Sequence, residues 1–142
     1  MKKEKVEGGV LFDFGKETFA RTCLSGLGEG PVKVRFGESR EEAMDAKWCV
    51  IRFEDKPEKG VLSYIPYAFR YLFVSDENVE VKAEYEYLPL EYKGSFHCSE
   101  EIINKVWDVA AYTFHLNSRE FSWTASKETG GSGQQMPTRA FS

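Results

Sequence analysis

The period of the apolar residues changes once along the chain, and that change fixes what the chain can fold into. Over residues 79–88, Val79, Val81, Ala83, Tyr85 and Tyr87 alternate with Glu80, Lys82, Glu84 and Glu86, the period of a strand with one buried face. Over residues 94–121 the period becomes helical: Ile102, Ile103, Val106, Trp107, Ala110 and Phe114 recur at three- and four-residue spacing and make one wide apolar stripe. Ser99 is placed to cap that helix, and Glu100 and Glu101 put negative charge in its first turn, where the helix dipole favours it. A stripe this wide needs a large partner surface, from the strands upstream or from further helices.

Everything before the switch reads as strand. Residues 10–14 and 18–24 are two apolar runs with a hairpin turn at 13–16, and Gly26, Gly28 and Gly30 with Pro31 make a loop. Val32 to Phe36 alternates as a half-buried strand, and Ser39 with Glu42 three residues on predicts a single capped helical turn. Further strands are expected at 48–53, 61–65 and 69–74, the last two separated by Pro66. Short strands with turn signals at this spacing predict an antiparallel β-sandwich, followed by one amphipathic helix. The expected organisation is a sandwich over 1–93, a helix over 94–121, and a tail over 122–142 that is rich in Gly, Ser and Thr and reads as disordered.

Composition limits the chemistry. The 142 residues are 42% hydrophobic and 15% aromatic, enough for a core, so the body is not expected to be disordered. A net charge of −4 argues against a nucleic-acid or anionic-membrane partner and is compatible with a neutral sugar. The opening MKKEKVEGG has no apolar h-region, so no signal peptide is expected, and no run is long enough to span a membrane. Localisation stays open. Cys23, Cys49 and Cys98 are an odd count without metal spacing; the first two sit in apolar runs and read as small buried hydrophobes.

Other groupings read as structure. Asp13-Phe14-Gly15 lacks the loops of a kinase and reads as a turn. Glu38, Glu41 and Glu42 read as an exposed acidic helix start, not a cation site. His97 beside Cys98 lacks further ligands, and His115 reads as a packed or capping histidine, so neither a metal nor a cofactor is expected. The tyrosines and phenylalanines between Tyr64 and Tyr92 fill the core or cover an interface. Of these, Tyr67 and Tyr92 are the candidates to stack on a sugar ring, whose faces are apolar.

Three separated segments resemble a known family. Gly94-Ser95-Phe96 with Cys98-Ser99, then Ile103-Asn104-Lys105-Val106-Trp107, then Tyr112-Thr113-Phe114-His115-Leu116-Asn117 are similar to the opening helix of the catalytic barrel of bacterial α-L-rhamnosidases. Upstream, GGVLFDFGKETFAR and RFGESREEAMD resemble the β-sandwich that precedes that barrel. The resemblance implies an (α/α)6 barrel beginning at the helix, and metal-independent, inverting hydrolysis of terminal α-L-rhamnosides by the intact parent. Its partners would be a rhamnose-containing carbohydrate and the missing barrel.

The resemblance stops at Ser122, and codon arithmetic offers a reason. Restoring one base after Phe121 permits Phe-Leu-Asp-Gly-Ile-Lys-Arg-Asp-Arg-Trp-Val-Trp-Ser-Ala-Asp-Ala-Tyr-Gln-Ser-Phe in the displaced frame, close to what the family carries there. TGG of Trp123 followed by AC of Thr124 forces an aspartate codon with no freedom. The expectation is therefore a frameshifted, truncated glycoside hydrolase. The acids that inversion needs lie in the barrel, so no catalytic residue is assigned, and the chain is expected to be inactive. Trp107 and Phe114 are expected to mark a helix face that has lost its neighbours. The alternative is a stand-alone carbohydrate-binding or structural sandwich.

Overall fold

The structure, a computed structural model, describes residues 1–118 and the backbone of two short strands beyond them. Its elements are β1 (Lys2–Val6), β2 (Gly9–Ser25), β3 (Val32–Gly37), α1 (Arg40–Met44), β4 (Ile51–Asp55), β5 (Leu62–Val74), β6 (Glu80–Tyr85), α2 (Glu101–Asn117), β7 (Phe121–Ser122) and β8 (Thr138–Arg139). The chain is mainly antiparallel β with one long helix late in sequence, as its periodicity predicts. It divides into two compact units, Met1–Glu86 and Tyr87–Ser142. Apart from Ser122, Thr138 and Arg139, the expectation of a disordered tail falls outside the described residues.

In the first unit, one six-stranded sheet runs β1-β2-β5-β3-β4, with β6 added to the far half of β2. Two strands are longer than the sequence suggests. No hairpin forms at 13–16: β2 advances five residues, from Asp13 to Thr18, while its partner β5 advances two, from Tyr71 to Phe69. The surplus is a bulge, and Gly15 at φ 86° supplies a backbone angle that side chains resist. Pro66 does not end a strand either. It lies in a second irregularity, between the pairs Ala20–Tyr67 and Thr22–Tyr64, where a residue without an N–H costs the ladder nothing.

These bulges let one sheet enclose its own core. Val10 and Phe12 from the near half of β2 join Ala20 and Leu24 from its far half in a single buried cluster with Val34, Phe36, Phe69, Leu72 and Val74. The sandwich is thus a single sheet folded over. Phe36 is its centre, with the rings of Tyr64, Tyr67, Phe69 and Phe53 at 5.6, 5.4, 5.0 and 6.3 Å. Burying such a ring stabilises by roughly 2 to 3 kcal/mol.

A second, smaller cluster lies on the outer face, where α1 packs its Ala43 against Leu11 and Phe73. Ser39 caps α1 as expected, its hydroxyl accepting from the Glu42 N–H at 3.1 Å. Glu42 reaches back one residue further than a capping box requires, to the Glu38 N–H at 2.9 Å. Trp48 precedes β4 instead of opening it and is 72% exposed, because Asp45 turns the chain there by accepting from the N–H groups of Lys47 and Trp48.

In the second unit, the cap of α2 is Glu100, not Ser99, and its side chain makes no capping bond. Asn104 closes that end instead. Its amide accepts from the Cys98 N–H and donates to the Cys98 carbonyl, both at 2.9 Å. The three cysteines form no disulfide, with Cys49 buried and Cys23 half-buried.

Candidate functional site

The sequence singles out Tyr67 in the first unit and Tyr92, Trp107 and Phe114 in the second. Tyr67 sits on β5 beside the second irregularity, and its half-buried ring lies against Phe36 at 5.4 Å and Phe53 at 5.7 Å. Its neighbour Tyr64 is buried, and its hydroxyl donates to Asp55 at 3.0 Å. Burial, and then the Asp55 carboxylate, push the Tyr64 hydroxyl above the usual tyrosine range, so it stays a neutral donor. These rings close the edge of the core.

Tyr92 is 60% exposed, on the segment that leads into α2. Its hydroxyl lies 3.0 Å from His115 Nδ1, and the two rings meet edge to face at 5.6 Å. His115 Nε2 lies 2.6 Å from the Leu88 carbonyl, which only an Nε2–H can satisfy. In the neutral ring Nδ1 is then the acceptor for the tyrosine hydroxyl. His115 is thus a packed histidine that ties the 88–92 segment to α2.

The stripe on α2 is present and largely uncovered. Trp107 is 43% and Phe114 65% exposed, and Ile102, Ile103, Val106 and Val109 are also exposed. Trp107 and Phe114 are seven residues apart, so they share one side of the helix. Among the described residues Trp107 has one aromatic neighbour, Phe96, at 5.5 Å.

The displaced carboxyl groups do structural work. The Arg40 guanidinium holds Glu4 below the usual carboxylate range, Arg70 does so for Asp13, and the backbone N–H groups of Trp48 and Lys47 do so for Asp45. A general acid needs the opposite shift. Among the described residues no group of three or more His, Cys, Asp or Glu side chains is placed to hold a metal ion, and no helix is long and apolar enough to cross a membrane.

Sequence reasoning missed one residue. Alternation in β3 turns Arg35 away from the core, which suggests an exposed arginine, yet it is only 8% exposed because α1 lies over that face. The proximity of the Ser39 cap to β3 in sequence was the available signal.

No curated protein matches the chain. The sheet residues do match a family model, described as alpha-rhamnosidase-like, bacteroidetes, N-terminal, over residues 1–74. That match covers β1 through β5, more than half of the chain, and the chain belongs to this alpha-rhamnosidase-like N-terminal family.

Proposed function

We propose that the first unit is a non-catalytic β-domain of an α-L-rhamnosidase-like glycoside hydrolase, and that α2 is the opening helix of its (α/α)6 catalytic barrel. The family match over residues 1–74 supports the first part. The observation that carries the second is the exposed stripe of α2, since a helix with Ile102, Val106, Trp107 and Phe114 facing water fits a place inside a helical barrel better than a free surface. The parent would hydrolyse terminal α-L-rhamnosides with inversion, using barrel acids that this chain does not carry.

The reading frame after Phe121 tests this. We expect that restoring one base there opens a long frame with helical periods, and that the repaired protein releases L-rhamnose of inverted anomeric configuration from an aryl α-L-rhamnoside. The chain as given should release none. A frame that closes at once, or a repaired protein inert on rhamnosides, removes the reading.

A second reading, a carbohydrate-binding module, is favoured by the exposed ring of Tyr92. It requires saturable binding of a rhamnoside that Tyr92→Ala abolishes.

A further inference from the structure

The outer face of the sheet carries a row of paired residues, Leu11 on β2, Phe73 on β5, Arg35 on β3 and Arg52 on β4. Arg35 is the anomaly in that row. An arginine only 8% exposed is ordinarily matched by a carboxylate. Among the described residues Arg35 makes no ion pair: its Nε donates to the Ala43 carbonyl at 2.7 Å, near the end of α1, and its charge stacks 3.9 Å from the centre of the Phe73 ring. Both contacts favour a cation, and the Asp45 carboxylate adds an attraction of its own. None of them neutralises it, and burial pulls its pKa below the usual arginine value.

The position beside it makes matters worse. Arg52 is the direct cross-strand partner of Arg35, an arrangement of like charges that destabilises a sheet. Arg52 is held there by the chain itself, since its Nη1 donates to the carbonyls of Lys47 and Cys49, both at 2.8 Å. Those bonds engage one nitrogen and leave Nη2 and Nε. Lys33 is two residues along β3 and therefore on the same face. Lys33, Arg35 and Arg52 line a depression of about 310 Å³, with Glu54, the partner of Lys33, as its one acid.

We propose that this depression is a binding site for a single oxyanion, the carboxylate or sulfate group of an acidic ligand. Arg35 forms its floor, and Arg52 and Lys33 form its walls. A planar or tetrahedral oxyanion accepts from two guanidinium groups at once, which turns the repulsion between Arg35 and Arg52 into a clamp. The volume holds one such group with part of the molecule that bears it. Glu54 at the rim sets an upper limit on affinity and selects against more highly charged anions.

The test is calorimetric titration of the full chain at constant ionic strength with sodium sulfate, with sodium glucuronate, and with glucose as the neutral control. We expect saturable binding of both anions and none of glucose. Arg52→Gln should weaken binding at least tenfold and Lys33→Gln several-fold, whereas Glu54→Gln should strengthen it several-fold. These three side chains are exposed, so each variant should keep its fold, which a thermal melt checks. Sulfate tighter than glucuronate identifies a site for an inorganic ion or sulfate ester, and the reverse order identifies an acidic sugar. Absence of saturable binding by either anion overturns the proposal. So does binding that none of the three substitutions changes, because an Arg35 serving only to hold α1 on the sheet would leave all of them equal.

Discussion

Asp13 and Arg70 are joined by two hydrogen bonds, Nε to Oδ1 at 3.0 Å and Nη2 to Oδ2 at 3.3 Å, where β2 loses its register with β5. The same Asp13 Oδ1 accepts from the Gly15 N–H at 2.7 Å, so one carboxylate fastens the bulge both to itself and across the sheet. The Arg70 guanidinium holds this carboxyl below the ordinary aspartate range. Its contribution is therefore complete above the unfolded-state value, about pH 4, and is lost as pH falls through the lower folded-state value. Asp13→Asn should melt lower than the parent at pH 7, and its melting temperature should fall less steeply below about pH 4. Equal slopes would show that the pair does not sense the bulge.

Thr22 is fully buried in the far half of β2, and among the described residues its hydroxyl has no hydrogen-bond partner. An unsatisfied buried hydroxyl costs about 1 to 3 kcal/mol, and valine has nearly the same shape. Thr22→Val should raise the urea midpoint, with a gain of about 1 kcal/mol. A lower midpoint would mean that the hydroxyl has a partner.

Gly37 ends β3 directly beneath α1. A Cβ there would stand 2.6 Å from the Ala43 nitrogen and 2.8 Å from the Ser39 carbonyl oxygen, both backbone atoms that the helix cannot move cheaply. Gly37→Ala should cost about 1 to 3 kcal/mol in denaturant unfolding. The affinity of the oxyanion site should fall as well, because α1 is what buries Arg35.

The two aromatic sets should respond differently to truncation. Phe36→Ala removes a ring packed on four others and should cost about 3 to 5 kcal/mol. Trp107→Ser with Phe114→Ser should barely change the unfolding of the first unit and should reduce binding of a hydrophobic dye. Dye binding unchanged by the double substitution would show that this face is already covered.

Much of this was legible because alternation is a local signal. The strands around Val34 and Val81, the Ser39 cap and the α2 stripe all follow from residues a few positions apart. What misled was punctuation. Gly15 and Pro66 mark the ends of strands in isolation, but here each sits within a longer strand, because a bulge uses the same unusual angle or missing N–H as a turn. Only the partner strand distinguishes the two, and for β2 that partner lies some fifty residues away. Arg35 is close to α1 in sequence, but its burial depends on α1 coming to rest against Leu11 and Phe73, which are distant from both. Of the two candidate ligand-stacking residues, Tyr92 is exposed, whereas the ring of Tyr67 leans on Phe36 and Phe53.

The folding of β2 and β5 across both layers has a mechanical consequence. In a sandwich of two independent sheets, one layer can loosen while the other holds. Here the same two strands run through both, so opening either layer pulls on the hydrogen-bond ladder of the other. The domain should behave as one cooperative unit in amide exchange, without a separately yielding half. Because that ladder joins segments far apart in sequence, it must also be assembled late and all together, which makes the domain a slow folder.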